Sequence, residues 1–255
     1  MAGHEAFNPA LWNIRASGYE GLQWVNEANP IKELIRRLGL KGNEFVVDVG
    51  TGTQAVLHAI EPFLYRGGQI VGFDRSFAML SAGQTSREPK PKLFIADAAH
   101  IPLYGEVADI AIARQVIHHI KTPEDAIKEM ARIVKPGGRV VIAEHVVVSE
   151  SVMPFERRLF GIKEPGRHLW LPSQLVSLVL NTGRFSRVES FAGCIPGYSM
   201  FSDWLGKSGL PKDIRKRVLK CLRKASDEVK RELNIKVTRD DVIMNGHYLC
   251  VIAEK

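Results

Sequence analysis

Short apolar runs alternate with longer amphipathic stretches along most of this chain. Phe45-Val46-Val47-Asp48-Val49, Gln69-Ile70-Val71-Gly72-Phe73, Leu93-Phe94-Ile95-Ala96 and Arg139-Val140-Val141-Ile142-Ala143 are nearly unbroken apolar runs. Such runs suit strands buried on both faces, as in a parallel sheet. Helix-like segments separate them. Ala55 to Leu64 follows the first run. A stretch starting at Phe77 follows the second, with the Ser76 hydroxyl placed to cap it. Lys121-Thr122-Pro123-Glu124-Asp125 opens another, with Thr122 as cap and Pro123 as first residue, running to about Val134. Pro136-Gly137-Gly138 stops it and turns into the next strand. Phe185–Phe191 and Gly246–Ala253 read as two late strands. Strands alternating with helices of about a dozen residues predict a parallel α/β sheet with crossover helices.

The ends of these strands carry the candidate chemistry. The first closes on Asp48, and Val49 then leads into Gly50-Thr51-Gly52-Thr53-Gln54-Ala55. Glycines let a ligand approach the backbone, and the turn aims free N–H groups at it. The run satisfies G-x-G-x-x-A, so a dinucleotide site is formally allowed. Asp48 favours a different ligand. A carboxylate beside the turn attracts an α-ammonium group and repels a pyrophosphate. The plain alternative is that Asp48 only caps the turn. The second run ends on Asp74, 24 residues after Gly50. A carboxylate there can accept hydrogen bonds from both hydroxyls of a ribose. The third ends on Asp97-Ala98, where a carboxylate can accept from an adenine amino group or cap the next turn.

The stretches VVDVGTGT, GFDRSFAML, ADAAHIPL, ADIAIARQVIHHI and KEMARIVKPGGRVVIAE occur in that order. Together they resemble the class I S-adenosylmethionine-dependent methyltransferases, most closely the small-molecule and quinone-type group, over about residues 10–148 and the final strand. The resemblance implies a Rossmann-like, doubly wound α/β fold. Its seven-stranded sheet would be mostly parallel, with the last strand antiparallel and a helical insertion before it. It implies S-adenosyl-L-methionine as cofactor and a small-molecule methyl acceptor. Asp48, Gly50, Thr51 and Gly52 would line the methionine end, with Arg114 close by; Asp74 would hold the ribose; Asp97 and Ala98 would meet the adenine. Two positions depart from the pattern. Gln54 stands where relatives carry glycine, adding bulk or a polar contact. Arg75 stands where they often carry an aliphatic residue, and would stack on adenine or point to solvent. The implied organisation is one domain: an N-terminal helical cover (1–40), a cofactor-binding core (41–148), a lid, helix and sixth strand (149–196), a basic helical insertion (197–245) and a final strand (246–255).

Transfer to an amine or hydroxyl needs a proton removed near the transition state, so a His, Asp or Tyr close to the acceptor is sought. His118, His145 and Tyr19 are the candidates, with Arg167, His168 and Trp170 as substrate contacts on a lid-like loop. His119 reads as a support for its loop, and Glu144-His145 also reads as a hydrogen-bonded strand end. Trp12 and Trp24 read as anchors of the N-terminal segment on the core.

Composition narrows this only a little. A chain of 255 residues with 45% hydrophobic content can build one sizeable core. Residues 207–240 hold twelve basic and five acidic side chains, matching the +7 of the whole chain. Apolar residues recur at helical spacing from Lys212 to about Leu233, so the charges read as a solvated face, with an anionic substrate or peripheral membrane contact as sharper readings. No aromatics interleave with them, so nucleic acid is not an expected partner. Oligomeric state is not legible. Cys194, Cys221 and Cys250 lack metal or disulfide spacing, which fits a reduced compartment and three small buried hydrophobes; no metal is expected. No apolar run is long enough to span a bilayer, and Met1–Glu5 does not resemble a signal peptide, so the cytoplasm is the expected location. A quinone-ring carbon methyltransferase at a membrane surface, a non-catalytic adenosylmethionine-binding sensor or partner subunit, and a nicotinamide-dependent oxidoreductase are the competing functions.

Overall fold

The computed structural model describes residues 9–19, 21–22, 25, 28–83, 92–207 and 209–255. Among them, eight strands form one sheet in the order β3-β2-β1-β4-β5-β8-β6, with a two-residue β7 pairing with β8 off that path. The strands are β1 (Phe45–Val49), β2 (Gln69–Asp74), β3 (Lys92–Ile95), β4 (Ala108–Arg114), β5 (Val134–His145), β6 (Arg187–Ser199), β7 (Lys236–Val237) and β8 (Val242–Glu254). The neighbours β3 to β5 run parallel, and β8 lies antiparallel between β5 and β6. The doubly wound, mostly parallel sheet with an antiparallel last strand is the predicted fold. The small β7 raises the strand count from the expected seven to eight.

The chain order reverses between β1 and β4, so the crevice beyond their carboxyl ends is a topological switch point, where open α/β sheets bind ligands. Two cores flank the sheet. On one side, Leu34 and Leu38 of α2 (Ala28–Leu38) and Leu57 and Ile60 of α3 (Ala55–Ile60) cover Val46, Ile110 and Ile112. On the other, Ile127, Met130 and Ile133 of α5 (Pro123–Ile133) and Leu175 of α7 (Pro172–Leu180) cover Val47, Val49 and Ala111. A third core lies under the insertion. Phe155 and Leu159 of α6 (Met153–Lys163) pack with Val218 and Leu222 of α8 (Lys212–Arg223), Val229 of α9 (Asp227–Glu232) and Met244 of β8.

Several local expectations change. The helix expected over Lys212–Leu233 is broken into α8 and α9, because the Ser226 hydroxyl accepts from Val229 N and starts a new helix. The helix expected to reach Leu64 stops at Ile60 and tightens into a 3₁₀ turn, Glu61–Phe63, at Pro62. Thr122 stands at the N-cap position of α5, yet its side chain makes no capping bond; Pro123 and the acids Glu124 and Asp125 mark the start instead. Strand β5 follows α5 directly, so Pro136-Gly137-Gly138 lies inside the strand span rather than before it. Strands β6 and β8 run past their expected ends, to Ser199 and back to Val242. Ser76 caps α4 (Phe77–Ala82) as predicted, accepting from Met79 N at 3.2 Å. Cys250 is buried, but Cys221 is only partly so and Cys194 is exposed, so the cysteines are not three core residues. No helix among the described residues is long and apolar enough to cross a membrane.

Candidate active site

A cavity of about 430 Å³ opens at the switch point, within the range of small-ligand and cofactor sites. The tips of β1 to β4 form its floor. Asp48, Gly50, Thr51, Gly52, Asp74, Arg75, Asp97, Ala98 and Arg114 all line it, so the nine residues selected from sequence for the cofactor meet in one place. Trp12 and Tyr19 of α1 (Pro9–Tyr19) close it from above. Trp24 lies outside the described residues.

The glycine turn is dictated by backbone and packing together. Gly50 and Gly52 have φ of 69° and 52°, the left-handed region that favours glycine. A Cβ on Gly50 would also overlap the side chain of Val116. Gln54 does not narrow the cavity. Its backbone is left-handed (φ 70°), its side chain is fully buried, and its Nε2 donates to Leu80 O at 2.9 Å, tying the turn to α4.

Each acid at a strand tip is held differently. Asp48 is buried and accepts from Thr51 Oγ1 at 2.6 Å. Burial pushes its pKa up to about 7, against the Thr51 bond and the nearby Arg114, which lower it. Asp74 accepts from Gly52 N (2.9 Å) and Ser76 N (2.8 Å) through separate oxygens. The Arg75 backbone N–H also bonds this carboxyl, which keeps part of its acceptor capacity for a ligand, and burial raises its pKa. Asp97 accepts from Ala99 N at 3.0 Å and lies 3.5 Å from the Arg75 guanidinium. Arg75 is half exposed and follows that carboxylate along the rim.

The raised Asp48 pKa gives a testable sign. In the unfolded chain the group ionises near 4; in the fold it holds its proton to about 7. The folded state therefore binds more protons between those values, and stability is lost as pH rises through 7. Asp48→Asn is expected to gain stability on the wild type between pH 4 and pH 8, by up to about 4 kcal/mol at ~1.4 kcal/mol per pH unit. Melting curves at both pH values check it.

The histidines are arranged otherwise than predicted. Gln115 takes a left-handed φ of 57°, and residues 117–119 form a 3₁₀ turn. This turns His118 inward, where it is 3% exposed, and His119 toward the cavity. The carboxylate of Glu144, fully buried on β5, accepts from Val116 N (2.8 Å) and Ile117 N (2.7 Å). Its other oxygen meets His118 Nδ1 at 2.6 Å, and His118 Nε2 meets His119 Nε2 at 2.9 Å. Burial holds both imidazoles well below their usual pKa, so they are neutral. With His118 Nδ1–H donating to Glu144, His118 Nε2 must accept from His119 Nε2–H. That leaves the basic lone pair of the pair on His119 Nδ1. His118, chosen from sequence to face substrate, is the interior member, and His119, read as a loop support, lines the cavity.

A second cavity, of about 90 Å³, adjoins the first; Trp12, Tyr19, Gln115 and His119 line both. His118, His145 and Arg167 line only the second. His145 bonds Glu156 at 2.7 Å, and Arg167 bonds Glu164 at 2.7 Å. His168 and Trp170 reach neither cavity. Their rings stack at 5.6 Å, Trp170 packs on the sheet core and its carbonyl accepts from Val147 N, so the lid-like loop is a seam of the fold here. Arg15, Lys163, Glu156 and Glu164 carried no sequence signal; they are charges inside segments that read as cover and lid. His118, His119 and Glu164 bring potential metal-ligand atoms within 4.8 Å of one another. Glu164 already meets Arg15, Lys163 and Arg167, so a cation would enter a site of positive excess.

Comparison with known proteins agrees with this geometry. Residues 47–142 match the model of a methyltransferase domain. A demethylmenaquinone methyltransferase of Paenarthrobacter aurescens is 32% identical over 129 residues. That match covers 50% of this chain and 47% of the other, so the chain spans about half the length of that relative. The YcgJ protein of Bacillus subtilis, named an uncharacterized methyltransferase, is 21% identical over 88% of both chains. Its crystal structure superposes with a TM-score of 0.75 at 18% identity, covering 88% of this chain and 97% of that one. Haemonchus contortus phosphoethanolamine N-methyltransferase 2, solved in complex with S-adenosyl-L-methionine, shares the fold with a TM-score of 0.54 at 21% identity, over 89% of this chain and 52% of that one. Glycine turn, acid-tipped strands and sheet order agree with these matches: residues 47–142 resemble a methyltransferase domain, and the chain shares the fold of the solved structures it superposes on.

Proposed function

We propose that this chain transfers a methyl group from S-adenosylmethionine to a small-molecule acceptor. The observation that carries the reading is the convergence of Asp48, Asp74 and Asp97 on one cavity around the Gly50-Thr51-Gly52 turn. Asp48 takes the α-ammonium group, whose charge draws its carboxyl into the ionised form. Asp74 offers its remaining lone pairs to the ribose hydroxyls, and Asp97 with Ala98 meets the adenine. A pyrophosphate would face Asp48 and Asp74 together, which disfavours the nicotinamide reading. When bound, the cofactor supplies a methyl group already activated on a sulfonium. The protein's main task is then to hold the acceptor in line, which can supply on the order of 7–11 kcal/mol of the barrier reduction. Where the acceptor must lose a proton, His119 Nδ1 is placed to take it, with His118 and Glu144 fixing the tautomer. Tyr19 reaches the same wall, but burial pushes its phenol upward, so it serves as a hydrogen-bond donor rather than a base.

On α8, Val218 and Leu222 pack into the third core, while Lys212, Lys216, Arg217 and Lys220 face solvent. Calorimetric titration of the purified chain with S-adenosylmethionine and with NADH tests the reading. Binding of the first alone is expected; binding of NADH alone would overturn it. Turnover of labelled cofactor on an acceptor panel then separates an enzyme from a sensor.

A further inference from the structure

The second cavity carries charge for which the cofactor has no use. Arg15 of α1, Lys163 at the end of α6, and Glu164 and Arg167 just beyond it converge there. The distances to the Glu164 carboxylate are 3.2 Å from Arg15 Nη2, 2.8 Å from Lys163 Nζ and 2.7 Å from Arg167 Nη1. All four side chains are more than nine-tenths buried. One carboxylate therefore serves three cations. The neighbouring acids are committed elsewhere: Glu144 to His118 and two backbone N–H groups, Glu156 to His145, Asp203 to Lys207.

The cations also have donors to spare. Arg15 Nε and Arg167 Nε are buried and find no hydrogen-bond acceptor among the described residues, and Arg15 Nη2 meets Glu164 as an ion pair without hydrogen-bond geometry. Buried donors without acceptors are costly, and charged ones more so, which makes such a cluster a poor device for stability alone. Aromatic rings hold the cations in place from behind. Arg15 lies over Trp12 at 5.1 Å, Arg167 over Phe160 at 4.3 Å and Lys163 over Trp204 at 3.5 Å. The space, about 90 Å³, is much smaller than the main cavity and has room for a carboxylate or a phosphate group.

We infer that the methyl acceptor carries an oxyanion, a carboxylate or a phosphate monoester, which seats among Arg15, Lys163 and Arg167. The body of the acceptor then runs along Trp12, Tyr19 and His119 into the main cavity, where the methyl group is delivered. This rests on the methyltransferase reading and adds the acceptor's chemical class. Guanidinium forks match both oxyanions bidentately. Burial pushes Lys163 down to about 7, and an oxyanion beside it restores the ammonium, so binding near pH 8 takes up a proton.

Calorimetry with three probes of one shape tests this: benzoate, phenyl phosphate and neutral benzamide, each added to protein saturated with S-adenosylhomocysteine. At least one anion is expected to bind ten-fold or more tightly than benzamide, and the better anion names the group. Binding heats measured at pH 8 in two buffers of different ionisation enthalpy are expected to report proton uptake. Arg15→Gln and Arg167→Gln are each expected to weaken the anion ten-fold or more while S-adenosylhomocysteine binding holds. Glu164→Gln removes the competing carboxylate and is expected to tighten the anion several-fold, a gain that a purely structural ion cluster would not give. Benzamide binding as well as both anions, or anion binding indifferent to all three substitutions, overturns the inference. Loss of S-adenosylhomocysteine binding in the wild type would instead overturn the methyltransferase reading beneath it.

Discussion

Glu144→Ala is expected to destabilise the protein by about 3–5 kcal/mol, because it leaves three buried donors without their acceptor. The carboxylate has no solvent exposure and holds three donors: Val116 N, Ile117 N and His118 Nδ1. Alanine strands all three in the interior, and each buried unsatisfied donor costs about 1–3 kcal/mol before relaxation or water entry. At about 2–4 °C per kcal/mol for a domain of this size, the melting temperature should fall by roughly 10 °C. Glu144→Gln separates structure from chemistry. Its amide oxygen can still accept from the two backbone groups, so most of the stability returns. Its NH₂ then faces His118 Nδ1, which must accept instead of donate. The His118–His119 pair reverses, and the lone pair on His119 Nδ1 is lost. A glutamine variant that melts near the wild type, binds S-adenosylhomocysteine normally and turns over poorly would support His119 as the proton acceptor. Full turnover in that variant would remove the histidine pair from the mechanism.

That the residues proposed for the cofactor cluster at one edge was legible in sequence, and the lining of the second cavity was not, for a physical reason. Asp48, Asp74 and Asp97 end apolar runs, and in a parallel sheet consecutive strands deliver their ends to one edge. The position of each acid follows from strand direction alone, and all three line the cavity. The histidines obey no such rule. Which of His118 and His119 faces the ligand depends on the left-handed backbone at Gln115 and the 3₁₀ turn after it, and neither has a distinct local pattern. The cationic cavity is harder still to foresee. Arg15 and Glu164 lie on different helical segments, 149 residues apart, and meet at 3.2 Å only once the insertion has packed on β8. The break between α8 and α9 was readable, since Ser226-Asp227-Glu228 is an ordinary helix start, but the long apolar repeat masked it. Gln54 shows the converse: its bulk was visible, but its direction, away from the ligand and onto Leu80, was set by a left-handed backbone.

Asp74→Ala is expected to weaken S-adenosylhomocysteine binding by about 10- to 150-fold, or about 1.5–3 kcal/mol, the usual worth of hydrogen bonds to a charged group. The side chain has two jobs. It fixes the glycine turn by accepting from Gly52 N and opens the next turn by accepting from Ser76 N, at 2.9 and 2.8 Å. In the proposed reading it also offers its remaining acceptor capacity to the ribose. Alanine removes both. Asp74→Asn keeps one oxygen acceptor but replaces the other with a donor, so it should lie between alanine and the wild type. The turn's share can be read separately. If loosening of residues 50–52 were the whole effect, adenosine and free methionine would weaken alike. Because Asp74 is assigned to the sugar, adenosine should lose most of its affinity, and methionine, held by Asp48 with Thr51, should lose little. Equal affinity of the alanine variant and the wild type for S-adenosylhomocysteine would mean that the ribose is held elsewhere, and the orientation assigned to the cofactor would have to be abandoned.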